Sequence, residues 1–123
     1  VVDVADTVNN QNGRIIAQGG DLNLTGANLY SKGGVLSSLQ GLFTAKLAGV
    51  LKNGYDAKNL TALGGFDNYG GRVSARTGEA LITTPGFDNR NGGLYAKGLV
   101  RVNGGNFDNS GDNDGQIAGG QVE

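Results

Sequence analysis

The chain has 123 residues, enough for one domain of ordinary size, and we expect residues 1–123 to form a single domain cut from a longer repeat array. It contains 24 glycines but only one proline, which excludes collagen and favours many tight turns. The formal net charge of −1 gives nucleic-acid binding no electrostatic support, and the absence of cysteine and histidine removes disulfides, His-ligated zinc and Ser-His-Asp catalysis.

Two units of about 20 residues open the chain. The first begins at about Val8 and the second at Leu29, and each combines glycine-rich turns with short apolar strands. A third unit at 47–65 is irregular, and we predict a strand within it at 58–62. The beginning of the chain has neither the basic residues nor the apolar core of a signal peptide, and no apolar run is long enough for membrane insertion.

Phenylalanine opens each of the three later units. Phe66, Phe87 and Phe107 recur at a nearly fixed interval, and a fixed period of about 20 residues is typical of stacked-repeat proteins. Three short strands joined by glycine turns in each unit predict an all-β, right-handed parallel β-helix with coils of about 20 residues. Six such coils would form a rod roughly 29 Å long.

A short motif, Gly-x-apolar-x-small, recurs in five units. Residues two apart on a strand share a face, so we expect the apolar and small members to point inward. The predicted inward pairs are Ile15/Ala17, Val35/Ser37, Val73/Ala75, Leu94/Ala96 and Ile117/Gly119. The predicted outward residues between them are Ile16, Leu36, Ser74, Tyr95 and Ala118.

Equivalent positions in successive coils should stack into columns. We expect Phe66, Phe87 and Phe107 to form an aromatic column. Two positions after each lie Asn68, Asn89 and Asn109, with Asn10 in the same place of the first unit, and these amides should hydrogen-bond along the rod. The aspartates that follow each phenylalanine should accept backbone amides in Asx-turns.

These units resemble the haemagglutinin repeats of filamentous haemagglutinins. The resemblance is carried by Phe-Asp-Asn-x-x-Gly-Gly-x-apolar-x-Ala, in which Asn68, Gly71 and Val73 return as Asn89, Gly92 and Leu94. It covers most of the chain, most clearly 66–119 and 8–38, and is weak at 39–65. The insert Asp112-Asn113-Asp114 also departs from the pattern.

The resemblance implies a secreted protein on the surface of a Gram-negative cell. Its family comprises large exoproteins of two-partner secretion, including adhesins and contact-dependent growth-inhibition effectors that carry a toxin. The implied partners are an outer-membrane two-partner-secretion transporter during export and a receptor or glycan on a host or target cell. In such proteins the repeats form a stalk that presents adhesive or toxin regions.

Three carboxylates near the end of the chain are candidate calcium ligands. Asp108, Asp112 and Asp114 precede Gly115, and calcium prefers such oxygen clusters. The EF-hand pattern fails, however, because Ser110 stands at its first position and Gln121 at its twelfth. We therefore expect a solvated loop and no bound cofactor or metal.

Three functions remain open. The first is a structural stalk. The second is a receptor- or glycan-binding module that acts through the irregular segment 39–65, with the outward Tyr95 as a further possible surface contact for sugars. The third, a polysaccharide-degrading β-helix enzyme, would need paired carboxylates on one outward face. Glu79 and Glu123 are the only glutamates and the aspartates fall mostly in turns, so we expect no enzyme.

Overall fold

The computed structural model describes residues 1–48, 65–109 and 115–123, which form a parallel β-solenoid without helices. Short runs that contain β-branched or aromatic residues form the strands, and glycine-rich turns separate them. The strands found in the described residues are β1 (Val2–Asp3), β2 (Thr7–Asn9), β3 (Arg14–Ala17), β4 (Leu22–Gly26), β5 (Asn28–Tyr30), β6 (Val35–Ser38), β7 (Phe43–Leu47), β8 (Phe66–Asp67), β9 (Arg72–Ala75), β10 (Ala80–Thr83), β11 (Gly86–Asp88), β12 (Gly93–Ala96), β13 (Leu99–Asn103), β14 (Asn106–Asp108), β15 (Gln116–Ala118) and β16 (Gln121–Val122).

The strands stack into three parallel sheets that run along the rod. Sheet A has the order β1-β4-β7-β10-β13-β16, sheet B the order β14-β11-β8-β5-β2, and sheet C the order β15-β12-β9-β6-β3. Each coil contributes one strand to each sheet. The predicted parallel β-helix is therefore confirmed.

Most coils have the repeat length predicted from the sequence. Val8 pairs with Leu29 at one end of sheet B, and Phe87 pairs with both Phe66 and Phe107 at the other. Leu29, however, pairs directly with Phe66, although the two are much further apart in the chain than the partners in any other coil.

The direct pairing of Leu29 with Phe66 corrects the prediction of six coils. The three strands of the second coil, β5, β6 and β7, pair directly with β8, β9 and β10, so the coil that begins at Phe66 is the third and not the fourth. Sheets B and C consequently contain five strands each. The strand predicted at 58–62 lies outside the described residues.

The core is a thin apolar column enclosed by the three sheets. Its fully buried members include Leu24, Leu29, Leu36, Phe43, Phe66, Val73, Ile82, Phe87, Leu94 and Val100. Small residues such as Ala45, Ala75 and Ala80 are equally buried and fit where the interior is narrow. The predicted inward residues Val73, Ala75 and Leu94 thus lie in this core, although the prediction for the second coil needs a correction.

In the second coil the inward pair is Leu36/Ser38, not Val35/Ser37. Leu36 pairs with Ile15 and Val73, and both Leu36 and Ser38 are completely buried. The sequence contains the doublet Gly33-Gly34, and counting from the first glycine shifts the motif by one position. Because side chains alternate along a strand, this shift moves every side chain to the opposite face.

Glycine is required at the second position of that doublet. A Cβ on Gly34 would lie 2.3 Å from the carbonyl oxygen of Asn10 in the preceding coil. The equivalent Cβ on Gly92 would lie 2.4 Å from the carbonyl oxygen of Asn68. The recurring glycine therefore allows successive coils to approach closely at the corner between sheets B and C.

Candidate functional site

The predicted aromatic column lies inside the rod beneath sheet B. The ring centroids of Phe66 and Phe87 are 4.8 Å apart with an interplanar angle of 14°, and those of Phe87 and Phe107 are 5.1 Å apart at 52°. Phe66 and Phe87 are buried, whereas Phe107, in the last strand of sheet B, is 42% exposed. The column therefore stabilises the rod, and its final ring is covered on one side by the described residues.

An amide ladder runs parallel to the aromatic column. Asn68 Nδ2 donates to Asn89 Oδ1 at 2.6 Å, and Asn89 Nδ2 donates to Asn109 Oδ1 at 2.7 Å. Asn109 Nδ2 in turn donates to the carbonyl oxygen of Gly115 at 3.0 Å. In the first coil Asn10 Nδ2 donates to Ser31 Oγ at 3.1 Å. These groups hold the corner between sheets B and C in a fixed geometry.

The aspartates after the phenylalanines organise the turns, as predicted. Asp67 Oδ1 accepts the backbone amide of Tyr69 at 3.0 Å, and Asp88 Oδ1 accepts that of Arg90 at 3.0 Å. Arg90 also binds Asp88 through its side chain, with Nε 2.9 Å from Oδ1 and Nη2 2.8 Å from Oδ2. The hydrogen bond to Asp88 raises the pKa of Arg90 above its ordinary value.

Tyr69 lies between two cations outside this turn. Lys32 Nζ is 5.3 Å from the centroid of the Tyr69 ring, and Arg90 Cζ is 5.2 Å from it. Asn91 Nδ2 donates to the Tyr69 hydroxyl at 2.9 Å. Sequence reasoning did not find this cluster. Lys32, Tyr69 and Arg90 occupy equivalent positions in three successive coils, but their side chains differ and the pairing of Lys32 with Tyr69 depends on which coils are neighbours.

The candidate calcium ligands receive no support within the described residues. Asp108 Oδ2 lies 4.0 Å from Arg90 Nε, which places a cation beside this carboxylate. Asp112 and Asp114 lie outside the described residues. Within residues 1–48, 65–109 and 115–123 no three acidic residues come together as metal ligands would.

The corner between sheets B and C carries a groove of about 370 Å³. Its floor is the backbone of the glycine turns, in which Gly33, Gly70 and Asn91 occupy equivalent left-handed positions with φ of 66°, 62° and 55°. The side chains that line it include Val35, Arg72, Asn91, Tyr95 and Gln116. Among the described lining residues, Arg72 is the only charged one.

Tyr95 forms one wall of this groove. It is outward-facing on β12, as predicted, and it is half-buried. A Cβ on Gly93 would lie 2.5 Å from Tyr95 Cε2, so the ring lies over Gly93 and occupies the space that a side chain there would need. The Tyr95 hydroxyl donates to Gln116 Oε1 in the next coil at 3.0 Å.

Sequence reasoning found Tyr95 but missed Arg72 and Gly93. The sequence identifies both residues once the register of sheet C is known. One outward column of that sheet then consists of Arg14, Val35, Arg72, Gly93 and Gln116. Gly93 has no side chain, and the Tyr95 ring lies in the space that this leaves in the column.

The segment 39–65 divides into two parts in the structure. Phe43–Leu47 is the regular strand β7 of sheet A, whereas 49–64 lies outside the described residues. Beside Ala48 an apolar groove of about 550 Å³ lies at the corner of the rod, lined by residues that include Val4, Ala27 and Leu47. The part of the chain that the structure describes contains no helix able to cross a membrane.

The fold places the chain among the parallel β-solenoids. No family model, no curated protein and no solved structure matches the chain.

Proposed function

We propose that the chain is a segment of the stalk of a large, secreted cell-surface exoprotein of the filamentous-haemagglutinin type. The stalk would hold adhesive or toxin regions away from the producing cell, and an outer-membrane two-partner-secretion transporter would export it. The observation that supports this proposal is the continuity of the apolar column of sheet B, in which Val8, Leu29, Phe66, Phe87 and Phe107 pair in succession through every coil of the described residues.

A continuous interior makes a straight spacer. The five coils at about 4.8 Å per coil extend the rod by roughly 24 Å. Further coils of the same kind would lengthen the rod without changing its width, because each coil contacts its neighbours alone. A protein that must carry a domain beyond the cell surface benefits from this geometry.

The test is surface display in the bacterium that encodes the chain. Antibodies raised against the folded chain should label intact cells, and an external protease should remove the label. Deletion of the gene for the partner transporter should abolish labelling while the protein accumulates inside the cell. Labelling only after the cells are broken open would contradict the proposal.

A receptor- or glycan-binding module is the second candidate. It is favoured by the position of 49–64 between two strands that belong to adjacent coils. Leu29 and Phe66 pair directly, as Val8 and Leu29 do, yet the chain between them is longer by the whole length of 49–64. Additional chain of this kind between the strands of a repeat protein commonly carries a binding surface.

The two candidates predict different binding of the isolated chain to intact cells. A labelled chain from which 49–64 has been deleted is the matched control for the full chain. Saturable binding of the full chain to intact cells that the deletion abolishes would establish the binding module. Equal binding of both, at the level of an unrelated solenoid, would favour the stalk.

A further inference from the structure

The groove at the corner between sheets B and C combines one aromatic ring, one arginine and polar side chains over a glycine-rich floor. We propose that it binds a linear polysaccharide that carries uronate carboxylates, with Tyr95 packed against a pyranose ring and Arg72 bound to a carboxylate. Such binding does not depend on the stalk proposal, because it follows from the chemistry of one surface and can be measured in solution.

Tyr95 provides the surface on which a sugar can stack. Its ring lies over Gly93, and the side chain is only half-buried, so part of the ring remains open to the groove. The hydroxyl is fixed by Gln116 Oε1 at 3.0 Å, which restrains the ring before any ligand arrives. An aromatic ring held in this way favours the flat carbon-bound face of a pyranose.

Arg72 gives the groove its preference for an anion. It lies next to Gly93 in the register of sheet C and is exposed. None of the described carboxylates forms an ion pair with it, in contrast to Arg90, which is held by Asp88. A guanidinium whose donors remain open to solvent can bind a carboxylate through two parallel hydrogen bonds.

The direction of the groove indicates an extended ligand. Val35, Arg72, Gly93 and Gln116 follow one another along the rod, one per coil, at intervals of about 4.8 Å. This interval is close to the length of one sugar unit in an extended polysaccharide. A chain lying along the rod can therefore place successive units on Arg72 and on the Tyr95 ring.

A peptide fits this surface less well. Strands β6, β9 and β12 lie inside sheet C and pair on both sides, so they present no free edge to which an extended peptide could add as a strand. Among the described lining residues, glycine backbone and polar groups predominate, which leaves no apolar pocket for an anchoring side chain. Sugar hydroxyls can use these polar groups as hydrogen-bond partners.

The experiment is a calorimetric titration of the whole chain with three tetrasaccharides. The probes are tetragalacturonate and a hyaluronan tetrasaccharide, which carry uronates of plant and animal origin respectively, and neutral cellotetraose. We expect at least one uronate probe to bind about tenfold more tightly than cellotetraose. The probe that binds identifies the source.

Substitutions at the groove distinguish it from the rest of the surface. Arg72→Gln and Tyr95→Ala should each weaken uronate binding about tenfold, whereas Tyr95→Phe, which keeps the ring, should retain most of it. Arg101→Gln, on the outward face of sheet A, is the matched control and should leave binding unchanged. Melting curves of all variants establish that each is folded.

Three outcomes would overturn the proposal. The first is that neither uronate probe binds. The second is that cellotetraose binds as tightly as the uronates, which would leave Arg72 without a role. The third is uronate binding that is unaffected by Arg72→Gln and by Tyr95→Ala in folded variants, since the ligand would then lie elsewhere on the rod.

Discussion

Ser31 and Asn68 occupy neighbouring positions of one interior column, and the amide ladder is interrupted between them. Ser31 donates its backbone amide to the carbonyl oxygen of Asp67, the residue before Asn68, and its hydroxyl accepts from Asn10. Asn68 Oδ1 is buried, and within the described residues it has no hydrogen-bond partner. Elsewhere in the column an asparagine supplies the donor that Asn68 Oδ1 lacks.

The substitution Ser31→Asn should repair the ladder. The new amide would accept from Asn10 Nδ2 and donate to Asn68 Oδ1, because Gly34 follows Ser31 at the same distance at which glycine follows Asn10, Asn68 and Asn89. We expect the free energy of unfolding to rise by about 0.5–1.5 kcal/mol, as measured by urea denaturation. A decrease would show that the interior at Ser31 is too narrow for an amide, and Ser31→Ala is the control that removes the hydroxyl without adding a donor.

The substitution Asn89→Leu should break the ladder at its centre. Asn89 is completely buried, accepts from Asn68 and donates to Asn109. Leucine has the same branched outline, although it is larger, and it offers neither a donor nor an acceptor. We expect a loss of about 1–3 kcal/mol in the free energy of unfolding. Asn103→Leu, at an exposed position of β13, is the matched control. A melting temperature of Asn89→Leu equal to that of the parent would refute the stabilising role of the ladder.

The aromatic column predicts unequal effects for chemically identical substitutions. Phe87 is 1% exposed and contacts a ring on each side, whereas Phe107 is 42% exposed and contacts one described ring. Phe87→Ala should cost about 3–5 kcal/mol. Phe107→Ala should cost clearly less, since its side chain keeps much of its hydration in the folded state. Thermal denaturation of the two variants side by side provides the comparison, and equal losses would contradict it.

Two arginine–carboxylate pairs differ mainly in burial. Asp88 is fully buried beneath Arg90, whereas the side chains of Arg101 and Glu123 are 45% and 42% exposed. Arg90→Gln leaves a buried carboxylate without its charged partner and should cost about 2 kcal/mol. Arg101→Gln should cost roughly 0.5 kcal/mol or less, because water replaces an exposed partner.

Salt provides an independent check on the same two pairs. Added sodium chloride should reduce the small contribution of Arg101 and leave that of Arg90 nearly unchanged, because buried pairs are screened much less. The pKa of Arg90 is raised by Asp88, so its contribution is already complete well below the ordinary arginine pKa and should stay constant from pH 6 to pH 9. A decline in the Arg90 contribution across this range would contradict the assignment.

Deleting 49–64 should leave the solenoid folded. After the deletion Leu29 and Phe66 have the same separation in the chain as Val8 and Leu29, which already pair across one ordinary coil. Ala48 and Gly65 would then join β7 to β8, as Thr84 and Pro85 join β10 to β11. We expect unchanged β-sheet circular dichroism and a cooperative melt. A deletion that starts one position earlier disrupts the register and serves as the control.

The sequence determined the fold class and the ladder, but the prediction of six coils was wrong. In a parallel stack, residues one period apart are neighbours, so the spacing of Phe66, Phe87 and Phe107 already identified the columns. The predicted number of coils was too high because the irregular unit at 47–65 was counted as a coil. Sequence spacing alone does not distinguish an irregular coil from additional chain between two coils. Strand pairing decides between them, and Leu29 pairs with Phe66.

Only the tertiary structure decided the register of the second coil, the partner of Asp88 and the groove. Within Gly33-Gly34 either glycine satisfies the local motif, but the amide of Gly33 donates to the carbonyl oxygen of Tyr69 in the next coil, which fixes it in the left-handed turn. Arg72 and Tyr95 line one groove because Gly93, the partner of Arg72 in the next coil, has no side chain and leaves room for the Tyr95 ring. The sequence alone specifies periodicity and alternation, which are local, whereas such contacts depend on which coils lie against each other.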